Sequence, residues 1–144
     1  MQRDPIRIFV DSDVVISSLL SKNGASYTLL HHTENLEMYV SNFSSIELER
    51  VSDRLGIVQT SLKNLIDTRL KCVDIDMAYD QVQAQFANYV TDAHDARIVA
   101  GAQKAKAVFL VTYNLRHFVA DNVKSDFEII TIAPGLFLQY LRSL

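Results

Sequence analysis

Five short apolar runs punctuate this chain, and between them apolar residues recur every three or four positions. Ile6 to Val10 is the first run and stops at Asp11, the pattern of a buried strand ending at a polar site. Ser12 or Asp13 then caps a helix from Val14 to about Leu20, and beyond Gly24 the stretch Ala25 to His32 reads as a second short helix. Met38 to Val40 predicts a brief strand. After it, Ser44 or Ser45 caps a helix with Ile46, Leu48, Val51 and Leu55 at helical spacing and Gly56 as its stop. Thr60 to Leu70 repeats the helical pattern, and Cys72, Val73 and Ile75 suit an edge strand. Met77 to Val90 reads as one helix with Val82, Phe86 and Tyr89 or Val90 as its inner stripe. Asp92 opens an alanine-rich helix to about Lys104. Val108 to Val111 and Glu128 to Ile132 are the remaining strands, and Pro134 starts a terminal helix carrying Leu136, Phe137, Tyr140 and Leu141. No element is assigned between Phe118 and Glu128.

Strands alternating with helices require crossover connections, so the expected fold class is α/β, with a central, mainly parallel sheet of four to five strands covered on both faces. With 144 residues, 49% of them hydrophobic, the chain suits one compact domain over residues 1–144. Met1 to Pro5 carries no apolar stretch of signal-peptide length, and no run reaches the roughly 18 apolar residues that a membrane span needs. A cytoplasmic protein without membrane contact is expected. The lone Cys72 cannot form an internal disulfide and is expected as an inert buried thiol.

Ligands of open parallel sheets bind beyond the carboxyl ends of the strands. Asp11 follows the first strand, Ser41 and Asn42 the second, and Thr112 and Asn114 the run Val108 to Val111. Glu47 lies in the first turn of the helix after the second strand, and Asp92 and Asp95 in the first turn of another helix. If these acids converge, two like charges about 5 Å apart repel by roughly 3 kcal/mol at an effective dielectric near 20. Arg97 is the only cation beside them in sequence, so a hard divalent cation with oxygen ligands is the simplest compensation.

Each of these residues also has a plainer reading. Asp92 and Asp95 resemble a helix-start pair, Glu47 a surface helix residue, and Asn114 a turn residue. Asp11 is harder to place structurally, because an acid directly after Ile8-Phe9-Val10 is costly unless a site uses it. His94 and His117 are possible ligands, although solvent-facing histidines are commoner. Net charge is −3, which does not advertise a nucleic-acid partner. Arg97, Lys104, Lys106, Arg116 and Lys124 nonetheless crowd into one third of the chain.

Four segments together resemble the PIN-domain family, particularly its toxin branch in bacterial toxin–antitoxin systems. They are Val10-Asp11-Ser12-Asp13-Val14-Val15-Ile16, Val40-Ser41-Asn42-Phe43-Ser44-Ser45-Ile46-Glu47-Leu48, Asp92-Ala93-His94-Asp95-Ala96-Arg97-Ile98-Val99-Ala100-Gly101-Ala102 and Leu110-Val111-Thr112-Tyr113-Asn114-Leu115-Arg116-His117-Phe118. The resemblance implies a three-layer α/β/α sandwich and a VapC-like endoribonuclease using Mg2+ or Mn2+ to hydrolyse phosphodiesters in single-stranded RNA. It implies Asp11, Glu47 and Asp95 as metal-binding catalytic acids and Asp92 as a further ligand. Ser12, Thr112 and Asn114 become supports, and Arg97 and Arg116 candidate RNA contacts. It also implies a cognate antitoxin and a homodimer. Asp13 stands where the family more often has Asn, and Asn114 where many members carry a fourth acid.

Two other readings compete. Asp11 and Asp13, two residues apart after a strand, also fit the nucleophile and general acid of haloacid-dehalogenase-type phosphatases, but such enzymes use a later Gly-Asp loop and this chain has no Gly-Asp dipeptide. A non-catalytic interaction module of PIN shape would keep the fold without needing the acids.

Overall fold

The computed structural model describes residues 3–144, so Met1 and Gln2, part of the Met1 to Pro5 start expected to lack a signal-peptide run, lie outside it. Five parallel strands form one sheet in the order β3-β2-β1-β4-β5: β1 Ile6–Val10, β2 Leu36–Ser41, β3 Leu70–Val73, β4 Phe109–Val111 and β5 Ile130–Ile132. β1 is central, with Ile8 opposite both Met38 and Phe109.

The two-residue period of a strand sorts its side chains into two cores. Ile8, Val10, Met38, Val40, Phe109 and Val111 face one side, against Val14 and Val15 of α1 (Ser12–Leu20), Leu29 and Leu30 of α2 (Ala25–His32), Leu48 of α3 (Asn42–Arg54), Leu62 and Leu65 of α4 (Gln59–Arg69) and Phe137 of α8 (Pro134–Arg142). Phe9, Tyr39 and Leu110 face the other, against Val82 of α5 (Tyr79–Gln85), Ile98 and Val99 of α6 (Ala96–Lys104) and Val123 of α7 (Ala120–Phe127). The result is the three-layer α/β/α sandwich, with a wholly parallel sheet. Gly101 allows its closest contact: a Cβ there would come within 2.5 Å of the Phe9 ring, so α6 rests directly on the central strand. Among the described residues no helix is long and apolar enough to cross a membrane.

Several local expectations are corrected. Asp11, not Ser12 or Asp13, caps α1, and Ser41 caps α3 by accepting from Ser44 N at 3.1 Å. Helix α3 therefore starts earlier than Ser44 and leaves Glu47 in its second turn. Gly56 does close this helix, at φ 71°. The single helix expected from Met77 to Val90 is instead α5, a 3-10 turn at Ala87–Tyr89 and an extended Val90 bridged to Phe118. The cause lies across the fold: Tyr89 O accepts from Val119 N and Thr91 N donates to His117 O, which takes these backbone groups out of helical pairing. Helix α7 fills the interval with no sequence assignment. Cys72 is exposed on edge strand β3, not buried.

Candidate active site

The carboxyl ends of β1 and β4 are joined through side chains. Asp11 is buried, and its Oδ1 accepts from Ser12 N at 2.7 Å while its Oδ2 accepts from the Thr112 hydroxyl at 2.8 Å. Thr112 Oγ1 also accepts from Asn114 N at 3.0 Å. Asp13 Oδ2 accepts from Tyr113 N at 3.1 Å and from Asn114 Nδ2 at 3.0 Å. Thr112 thus links the Asp11 carboxylate to the exit of β4, and Asn114 holds Asp13 where a fourth acid would have repelled it.

Burial and mutual repulsion govern the charges. Burial pushes the Asp11 carboxyl above the ordinary range, against the hydrogen bonds from Thr112 and Ser12 that favour its ionised form. Asp13 is pushed up to about 7, first by burial and then by the negative charge of Asp11. Asp95, at the end of the 3-10 turn Ala93–Asp95, is raised by burial and by Asp11, while nearby His117 pulls it down. His117 Nδ1 lies 3.0 Å from Asp95 Oδ2. Asp92 is exposed, and its Oδ1 accepts from His94 N at 3.0 Å, the capping role, while its charge adds to the rise at Asp95.

Glu47 stands apart, because it has a cation of its own. Arg97 is 4% exposed and forms an ion pair with Glu47, donates from Nε to His94 O at 3.1 Å and donates from Nη2 to His94 Nε2 at 2.9 Å. His94 Nε2 lies 3.6 Å from Glu47 Oε2, and its Nδ1 lies 2.7 Å from the Tyr79 hydroxyl. One expectation changes here: Arg97, a candidate RNA contact, is buried against Glu47 and is not a free surface cation. Arg116 is exposed. Lys104 and Lys106, neighbours of these cations in sequence, sit at the far end of α6 from Asp95.

The donor set fits a hard divalent cation. Ser12 Oγ and Asp13 Oδ1 are buried oxygens without a hydrogen-bond partner beside Asp11, and the carboxylates around them repel one another. Among the described residues no three His, Cys, Asp or Glu side chains group closely enough to hold a metal ion by themselves. Such a cation would complete its shell with water and phosphate oxygens, as magnesium commonly does.

Beside Glu47 opens a cavity of about 520 Å³ between one face of α3 and a wall made by Tyr79, His94 and Arg97. Composition and spacing in Phe43, Ile46, Glu47, Arg50 and Arg54 give that face at helical intervals. The sequence reading passed over Phe43, Tyr79, Arg50 and Arg54. Their helical spacing from Glu47 was a usable signal for Phe43, Arg50 and Arg54, whereas nothing local tied Tyr79 to them.

An open parallel α/β protein with an acidic crevice at the carboxyl ends of its strands is the class these elements define. Within it, the family model described as the PIN domain matches residues 7–116, and the chain belongs to that family. The matched span includes Asp11, Glu47, Asp92, Asp95, Thr112 and Asn114, and it leaves the phosphatase reading without support. A similar solved structure is VapBC2 from Rickettsia felis, determined bound to a DNA fragment from their promoter: 14% identity, 89% of this chain and 98% of that chain covered, TM-score 0.61. At that identity the likeness is one of fold. Among curated proteins no sequence matches this chain.

Proposed function

We propose that this chain is a metal-dependent endoribonuclease that hydrolyses phosphodiesters in single-stranded RNA, and that it is the toxin of a toxin–antitoxin pair. The observation that carries the reading is the buried Asp11 carboxylate, whose negative charge raises both Asp13 and Asp95, beside two buried oxygens without partners on a PIN scaffold. Asp11 and Asp95, with Glu47 and Asp92, are the residues that would hold Mg2+ or Mn2+. Bound there, the cation supplies an activated water and offsets charge on the phosphate. Thr112 fixes the Asp11 carboxylate, Asn114 fixes Asp13, and Arg97 orients Glu47. His117 Nδ1, at 3.0 Å from Asp95, is placed to hold or pass a proton at the edge of the site. The toxin assignment rests on family membership and on the VapBC2 likeness; an antitoxin partner, a homodimer and a cytoplasmic setting are proposed with it.

The test is cleavage of a labelled single-stranded RNA with Mg2+, with Mn2+ and with excess chelator. Cleavage is expected only with metal, falling by roughly a thousandfold or more in Asp11→Asn or Asp95→Asn and persisting in Asp13→Asn, since an Asn oxygen can still accept the hydrogen bonds from Tyr113 N and Asn114 Nδ2 there. Full cleavage in chelator, or full activity in Asp95→Asn, overturns the reading.

A further inference from the structure

The groove beside Glu47 combines three features that the acid chemistry leaves unused. Arg50 and Arg54 are exposed on the face of α3 that carries Glu47, and neither makes an ion pair among the described residues. Glu47 itself is offset by Arg97, so the groove walls are net positive. Tyr79 is 37% exposed and meets half-buried Phe43 edge to face, with ring centroids 6.0 Å apart, at the mouth of the cavity. Asn42 braces this arrangement: its Oδ1 accepts from Ile75 N at 2.8 Å and its Nδ2 donates to Ile75 O at 3.3 Å, tying the start of α3 to the segment that leads into Tyr79.

We propose that this groove binds the nucleotides next to the scissile phosphate of a single-stranded RNA, with a base stacked on Tyr79 and Phe43 and backbone phosphates on Arg50 and Arg54. The proposal rests on the nuclease reading for what lies at its inner end. Aromatic faces beside arginines suit an unpaired strand, because every base offers a stacking face and the arginines follow the backbone. From Glu47 to Arg54 the helix runs roughly 10 Å, enough to lead a strand away from the acids in a defined direction. A protein partner is the less favoured occupant, because an apolar anchor would meet two arginines without acids to match them.

The experiment measures anisotropy of a short fluorescein-labelled single-stranded RNA on the Asp11→Asn background, which removes cleavage, and initial cleavage rates in the otherwise wild-type chain. Tyr79→Ala is expected to weaken binding about tenfold, while Tyr79→Phe, which keeps the ring and loses the hydroxyl facing His94, binds within about twofold of the parent. Arg50→Ala with Arg54→Ala should lower the slope of log affinity against log salt by roughly 1.4, about 0.7 for each phosphate contact. Lys106→Ala with Lys124→Ala, remote from the groove, should change neither quantity. The cleavage KM should rise in step with the loss of affinity. Unchanged affinity and salt slope in both groove variants overturn the proposal, whether or not those variants lose a protein partner, and so does a parent that does not bind the RNA. Groove-dependent binding by a wild-type chain that never cleaves with metal would instead overturn the nuclease reading and leave the groove assignment in place.

Discussion

Glu37, near the entry of β2, and Asp11, at the exit of β1, are acids on neighbouring parallel strands under opposite conditions. Glu37 is held below its ordinary pKa by the Tyr39 hydroxyl, 2.8 Å away, and by Lys71 and Arg7 at 3.6 and 3.4 Å. Arg7 sits directly opposite it in the β1–β2 register. Asp11 has backbone and hydroxyl donors but no direct cation, and it shares its surroundings with Asp13 and Asp95. Both ends of the sheet use the same side-chain chemistry. One end neutralises its acid, and the other concentrates acids, which is the state a bound cation would relieve.

Glu47 tests whether the acidic end depends on its single buried cation. Arg97→Met should destabilise the metal-free protein by about 2 to 3 kcal/mol in urea unfolding, because it leaves a partly buried carboxylate without its partner. Adding Glu47→Gln should recover about half of that loss. A cost no larger than that of a surface substitution would mean the pair contributes nothing and the two ends differ less than described.

Titration separates the ends further. An acid whose folded pKa is raised stabilises the fold while protonated, fully so below its ordinary value, and that contribution is lost as pH rises through the folded value. For Asp13 the window runs from 3.8 to about 7. Thermal melts in chelator should therefore show stability falling as pH climbs through that window, by on the order of 1 kcal/mol once solvent screening of this incompletely buried group is allowed for. Asp13→Asn should flatten the slope. Glu37 works in the opposite sense: its lowered pKa adds stability above the ordinary carboxylate value that is lost as pH falls, so Glu37→Gln should remove a small contribution at neutral pH.

The smallest effect is the most direct contrast. Asp11→Asn should stabilise the metal-free protein by about 1 kcal/mol, while Glu37→Gln should slightly destabilise it. Excess Mg2+ should then raise the wild-type melting temperature more than that of Asp11→Asn, since only a cation bound to the folded state stabilises by mass action. An Asp11→Asn protein less stable than wild type in chelator, with an equal Mg2+ response, would make Asp11 a structural residue.

How much of this was legible in the sequence depended on whether the cause was local. The strands around Phe9, Val40 and Leu110 are apolar and short, and their helices carry clear stripes, so the α/β class and the exit of β1 at Asp11 followed from pattern alone. Helix α7 did not, because Val123 is its only fully buried residue and five of its eight residues are polar. The break after Gln85 was equally hidden, being imposed by backbone pairing with residues 117–119. At the site, Asp11, Thr112 and Asn114 were found through their place after strands and through the family resemblance. The Arg97–Glu47 pair was not, since the two lie on different helices and neither segment records the other. Cys72 misled for a similar reason: a lone cysteine without a disulfide or metal partner suggested a buried thiol, but β3 is the edge strand and leaves it exposed.

The bond between Thr112 and Asp11 spans 101 residues of sequence, and that separation bears on when the site is assembled during synthesis. During synthesis β1, α1 and β2 leave the ribosome with the central strand lacking its β4 neighbour and Asp11 lacking its threonine. At roughly 5 to 20 residues per second, several seconds pass before residue 112 exists. Under the nuclease reading, a prematurely terminated chain that stops within α6 carries Asp11, Glu47 and Asp95 yet lacks the clasp that sets Asp11. Truncated translation products would then be harmless, and an inhibitor would have those seconds in which to meet the nascent chain before its site is assembled.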